Sequence, residues 1–260
     1  MFQPTLLENR VALITGGGTG ICRGIALAFA RHGCHVAITS RKPEHLEPTR
    51  DELRAIGVRA VAVAADVRDP AAVNTAISTT VSELGRLDIV VNGAAGNFIC
   101  LAENLSPNGF GTVVDIDLKG TFNVSRAAFP HLKAQGGLVI NISATLPYLG
   151  TIGQAHASAA KAGVDSLTRT LAVEWGPHGI RVNGIAPGPI EGTEGVARLT
   201  SEKSRASLLR TCPVGRMGTV DDIANAALYL ASEAASYVNG VTLVVDGGLW
   251  LRSARMLGEE

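Results

Sequence analysis

Short runs dominated by Val, Ile and Ala recur along the chain, separated by longer stretches in which apolar positions return every three or four residues. The short runs are Val11–Thr15, His35–Thr39, Ala60–Ala64, Asp88–Asn92, Gly137–Ile142, Arg181–Ala186 and Thr242–Val245. Helical patterns begin near Gly20, Pro43, Pro70, Asn108, Gly153 and Val220. A strand with one wet face alternates apolar with polar residues. These runs are apolar almost throughout, the mark of strands covered on both faces. Strand followed by helix, repeated, gives a parallel sheet. The pattern predicts an α/β fold: a single Rossmann-type doubly wound domain over residues 1–260, with a seven-stranded parallel sheet and helices on both faces. Gly188–Cys212 breaks the rhythm. It is polar, glycine-punctuated and then helical, as expected of a lid over a substrate.

Composition narrows the class. The 260 residues are 46% hydrophobic and 18% charged, which excludes a disordered chain. Lys plus Arg total 23, as do Asp plus Glu, so no overall field recruits nucleic acid or a membrane surface. Cys22, Cys34, Cys100 and Cys212 lie far apart, with no C-x-x-C and no His at ligand spacing. Reduced structural thiols and no metal are expected. The uncharged stretch between Lys133 and Lys161 holds Asn141, Ser143, Pro147, Gln154 and His156, which a lipid-facing helix would not tolerate cheaply. A soluble protein is expected.

Candidate chemistry gathers where strands end. The first strand runs into Thr15-Gly16-Gly17-Gly18-Thr19-Gly20-Ile21-Cys22-Arg23-Gly24, which opens a helix. Glycines there let backbone approach a pyrophosphate, and a helix N-terminus offers it free N–H groups. The second strand ends Ile38-Thr39-Ser40-Arg41, without the carboxylate that binds a ribose 2′-OH. Arg41 offers a cationic fork for a 2′-phosphate instead, assisted by Arg23, so NADP(H) is the expected cofactor. Asp66 and Val67 end the third strand, placed to meet an adenine. Asn92, Gly93 and Ala94 end the fourth, where small residues leave room for a ribose and Asn92 can brace the loops.

These residues, with Ser158-Ala-Ala-Lys161-Ala and Arg181-Val-Asn-Gly-Ile-Ala-Pro-Gly188, resemble the short-chain dehydrogenase/reductases over nearly the whole chain. That family's Tyr, four residues before the Lys, is replaced here by Ala157, its Ser by Ala144 and its helical Asn by Asp117, so that Lys161 alone remains. The departures themselves resemble a subfamily. Ala94-Ala-Gly-Asn-Phe98, Val114-Asp-Ile-Asp117, His156-Ala157, Leu171–Pro177, Pro187–Glu194 and Ala235–Val238 are similar to the peroxisomal-type 2,4-dienoyl-CoA reductases.

The resemblance implies NADPH-dependent reduction of a 2,4-dienoyl-CoA to a 3-enoyl-CoA, an auxiliary step of unsaturated fatty acid β-oxidation. Hydride adds at C5, the charge spreads to the thioester oxygen, and no Tyr is needed. Asp117 is then expected to hold the proton-delivering water, Lys161 the nicotinamide ribose, and Asn97 the thioester oxygen. Pro187, Gly188, Ile190 and Thr193 are implied at the nicotinamide and a phosphate. Arg41, Arg68, Phe98, Ser106, Pro107, Asn108 and Arg198 are implied at the acyl-CoA, Tyr148 as a pocket-lining residue, and a homotetramer as the assembly. Two alternatives stay open: a carbonyl or other enoyl reductase using Tyr148 or His156 as its acid, and a catalytically silent NADPH-binding sensor. The chain ends Gly258-Glu-Glu without a Ser-Lys-Leu-type address, so a bacterial-like cytoplasmic location is expected.

Overall fold

The strands are β1 (Val11–Thr15), β2 (His35–Ser40), β3 (Ala60–Ala64), β4 (Ile89–Asn92), β5 (Gly137–Ile142), β6 (Ile180–Pro187) and β7 (Thr242–Val245). In the computed structural model, which describes residues 2–193, 195–196 and 202–251, they form one parallel sheet in the order β3-β2-β1-β4-β5-β6-β7. Val11 pairs with His35 on one side of β1, and Ala12 with Ile89 of β4 on the other. Chain order therefore reverses between β1 and β4, and that switch point opens a crevice at the strands' C-terminal ends.

Eight α-helices flank the sheet among the described residues: α1 (Gly20–Arg31), α2 (Pro43–Ala55), α3 (Pro70–Leu84), α4 (Pro107–Val114), α5 (Gly120–Lys133), α6 (Ala155–Trp175), α7 (Glu202–Thr211) and α8 (Val220–Ala231). Two hydrophobic cores result. On one face Ile14, Ile38 and Ile140 meet Ile25 and Phe29 of α1, Leu46 and Leu53 of α2, and Ile223 and Leu228 of α8. On the other, Leu13, Val90 and Val139 meet Val73 and Ile77 of α3, Val124 and Leu132 of α5, and Leu171 and Trp175 of α6. Alternate residues of the central strands thus serve opposite cores, which is why their runs show no polar alternation.

The expected seven strands form with ends shifted by a residue at most. The helix expected from Asn108 differs. It runs from Pro107 to Lys133 in three pieces, with a π-helical turn, Asp115–Lys119, between α4 and α5. Of the expected lid, α7 is described, tied by Arg205 to Glu191 in the loop after β6. Arg198 lies outside the described residues.

Candidate active site

The glycine loop after β1 divides in two. A Cβ on Gly16 would sit 2.9 Å from the Gly93 carbonyl oxygen, and one on Gly18 2.6 Å from that of His45. Both glycines are dictated by loop packing against β4 and α2. Gly20 is uncrowded, a Cβ there meeting Thr193 Cγ2 at an ordinary 3.8 Å, but its φ of +54° favours glycine. Thr19 makes no side-chain cap, so the first N–H groups of α1 remain free for an anion, and Ile21 lines the crevice beside them. The buried Thr39 hydroxyl at the end of β2 also lacks a partner. This cradle fits a dinucleotide.

Around it, Arg41 is exposed at the end of β2, while Arg23 is engaged by Glu52 of α2. Arg68 grips Asp66 as a fork, Nε to Oδ1 at 3.0 Å and Nη2 to Oδ2 at 2.6 Å. That hydrogen bonding holds the Asp66 carboxyl below the usual range, with Arg41 adding to it. Val67 is buried against Gly120, and its carbonyl accepts from Asn123 Nδ2 at 3.0 Å. It offers a neighbouring ligand backbone rather than side chain.

The brace under the β4 loop is Thr15, whose hydroxyl accepts from the N–H groups of Gly93 (2.9 Å) and Ala94 (3.1 Å). Asn92 does something else than brace loops. Its Nδ2 donates to Ser125 of α5 and Asn141 of β5, each at 2.9 Å, locking layers together. Sequence reading missed Thr15 because its hydroxyl acts across strands, 78 residues away from Gly93.

The residues expected to react meet near the C-terminal ends of β4 and β5. The π turn carries Asp117 inward to 1% exposure, where Oδ1 accepts from Gly96 N–H at 2.7 Å and Oδ2 lies 3.4 Å from Lys161 Nζ. Lys161, 7% exposed on α6, also donates to the Ile142 carbonyl at 2.8 Å. Each charge has a partner and a backbone contact, the condition under which a buried pair is tolerated. Next to it a cavity of about 490 Å³ is lined by Asn97, Ser143, Ala144, Leu146, Pro187, Gly188, Ile190 and Thr193, with Leu208 and Leu249 closing over. The size suits a small-molecule site and the wall is largely apolar.

Several expected residues take structural duties as well. Ser106 caps α4 by accepting from Gly109 N–H at 3.1 Å, Pro107 opens that helix, and the Asn108 carbonyl accepts from Thr112. Thr193 donates to the Ile190 carbonyl at 2.8 Å. Phe98, 40% exposed, meets His156 edge-on at 4.3 Å between ring centroids. Tyr148 does not line the cavity as expected. Its hydroxyl donates to Asp165 Oδ2 at 2.8 Å and its ring packs on Trp250, an anchor the sequence did not reveal. Burial, then Asp165, pushes the phenol well above its ordinary pKa. Burial pushes His156 down against the pull of Asp117, and its Nδ1 accepts from the Ala157 N–H. Neither side chain lines this cavity. No described helix is long and apolar enough to cross a membrane.

A family model described as "Enoyl-(Acyl carrier protein) reductase" matches residues 16–250. The chain is 50% identical to a peroxisomal 2,4-dienoyl-CoA reductase, (3E)-enoyl-CoA-producing, of Rattus norvegicus, over 99% of this chain and 89% of that one. It is 46% identical to a probable 2,4-dienoyl-CoA reductase, (2E)-enoyl-CoA-producing, of Bacillus subtilis, over 94% of this chain and 98% of that one. Among solved structures, a 7α-hydroxysteroid dehydrogenase complexed with NADH and 7-oxoglycochenodeoxycholic acid superposes with a TM-score of 0.91. That neighbour is 31% identical, with 95% of this chain and 98% of that one covered.

Proposed function

The chain belongs to the short-chain dehydrogenase/reductase family and is an oxidoreductase, and from that premise we propose that it reduces 2,4-dienoyl-CoA thioesters to 3-enoyl-CoA with NADPH. One observation carries the reading. The cavity is served by a buried Asp117–Lys161 pair, while Ala157 and Ala144 stand where the family places its Tyr and Ser. A ketone reductase needs an acid at the carbonyl oxygen as hydride arrives. A dienoyl thioester does not, because the displaced electron pair travels along the diene to the thioester oxygen and the proton goes to carbon.

When bound, the reduced nicotinamide supplies the hydride that adds at C5. Lys161 holds its ribose and places positive charge beside the reacting chain, with Pro187, Gly188, Ile190 and Thr193 along the crevice. Asp117, fixed by Gly96 N–H, holds the water whose proton reaches C2. The Asn97 amide donates to the thioester oxygen. Arg41, at a strand end without a carboxylate, selects the 2′-phosphate of NADPH over NADH. Arg41 and Arg68 serve the phosphates of CoA, and Phe98 and Ser106–Asn108 take its pantetheine arm; the resemblance adds Arg198, which lies outside the described residues. A homotetramer and a role in the breakdown of unsaturated acyl chains belong to the same reading.

The test is NADPH consumption with 2,4-hexadienoyl-CoA beside a panel of simple ketones. Turnover of the dienoyl ester alone is expected. Turnover of ketones alone, or none with NADPH bound, overturns it.

A further inference from the structure

Asp165 is a buried carboxylate that the proposed reduction does not use. It lies on α6 one helical turn beyond Lys161 and is 4% exposed. Its Oδ2 accepts from the Tyr148 hydroxyl at 2.8 Å, and its Oδ1 accepts from the hydroxyl of Thr242, the first residue of β7, at 3.2 Å. A hydroxyl that donates to a carboxylate makes a hydrogen bond roughly twice as strong as one between neutral groups. Three elements are tied together in this way: α6, the turn after β5, and β7.

Tyr148 carries that tether to the cavity wall. Its own side chain does not line the cavity, but Leu146 and Leu149, on either side of it in the same turn, do. Its ring packs on Trp250 at 5.6 Å between centroids, and Leu249, the residue before Trp250, lines the cavity too. Trp250 is fixed in turn, its N–H donating to Asp246 Oδ2 at 2.7 Å. One phenol thus pins two stretches of wall that are far apart in the sequence. These leucines have no polar group to offer the reaction. A 2,4-dienoyl chain keeps its reacting atoms within C1 to C5, and from C6 outward it asks only for an apolar surface of fixed shape. Each methylene buried on such a surface strengthens binding about fourfold.

We propose that Tyr148 is a specificity-determining residue: held by Asp165, it positions Leu146, Leu149 and Leu249 against the acyl tail beyond C5 and so sets a preference for longer 2,4-dienoyl chains. It is a positioning residue, acting through the leucines beside it. The inference rests on the dienoyl-CoA reading.

Tyr148→Phe keeps the ring on Trp250 and removes only the hydroxyl. The KM for 2,4-decadienoyl-CoA should rise about tenfold, the binding of one to two methylenes, against about twofold or less for 2,4-hexadienoyl-CoA, whose tail is a single methyl group. KM rather than kcat should carry the effect. Asp165→Asn, which keeps an acceptor for Tyr148 without its charge, should fall between the two enzymes. Calorimetry gives a readout that needs no turnover. With NADP⁺ bound, the wild type should bind the decadienoyl ester more tightly than the hexadienoyl ester, and Tyr148→Phe should lose about tenfold of that preference. An unchanged preference in Tyr148→Phe, or an equal loss with both esters, overturns the role of Tyr148. Binding of both esters by a wild type that reduces neither overturns the dienoyl-CoA reading instead, and the preference in binding still decides the tether.

Discussion

A carboxylate and an ammonium lie 3.4 Å apart, almost wholly out of solvent, and no Tyr or Ser occupies the family's acid positions. Removing one member leaves the other charge buried and uncompensated, at a cost of about 3–5 kcal/mol. Asp117→Asn and Lys161→Met each still carry that cost, but they keep the shape of the side chain and so disturb the packing least. Each should lower kcat by about 10²–10⁴-fold, the span of a positioned proton-transfer group, while circular dichroism stays that of the wild type. Near-normal turnover in either variant would remove that residue from the mechanism. Both residues were legible in the sequence because they sit in strings whose neighbours fix the register: Val114-Asp-Ile-Asp117 and Ser158-Ala-Ala-Lys161. Thr15 and Asp165 were not. Each is defined by a partner far along the chain, Gly93 for one and Tyr148 with Thr242 for the other, and spacing alone carries no trace of that.

What turns Asp117 inward is a property of the element. Asp115–Lys119 continues the apolar rhythm of a helix, so nothing in the sequence distinguishes a π turn from an α turn there. The extra residue per turn rotates the carboxylate toward Gly96, and such turns recur at functional sites. Packing holds it. The Thr121 hydroxyl donates to the Asp117 carbonyl at 2.6 Å, and Leu118 lies against Gly163 of α6, where a Cβ would meet its Cδ2 at 2.6 Å. Gly163→Val should cost about 1–3 kcal/mol by overpacking and shift the turn that carries Asp117. Thermal unfolding should show the loss, and kcat should fall more than the KM for NADPH changes. The strands posed no such difficulty. Burial between two helical layers demands apolar residues on both faces of the central strands, and that demand is visible in their runs, while the edge strands β3 and β7 are only partly buried.

At the scale of the whole molecule, the sheet's reversal between β1 and β4 sets the glycine-loop cradle beside the Asp117–Lys161 pair, and in the proposed reading the end of β2 selects the cofactor. In the proposed reading Arg41 meets the 2′-phosphate, while among the described residues Glu52 engages Arg23 and Asp66 engages Arg68. Arg41→Ala should weaken NADPH roughly tenfold through loss of one charge-assisted hydrogen bond, leaving NADH unaffected, as titration calorimetry with each cofactor would show. The most direct test of the central claim is the fate of the solvent proton. Turnover of 2,4-hexadienoyl-CoA with NADPH in deuterated water, read by NMR of the product, should give a 3-enoyl thioester carrying deuterium at C2. A 2-enoyl product carrying deuterium at C4 would contradict delivery of the proton to C2 by the water held at Asp117.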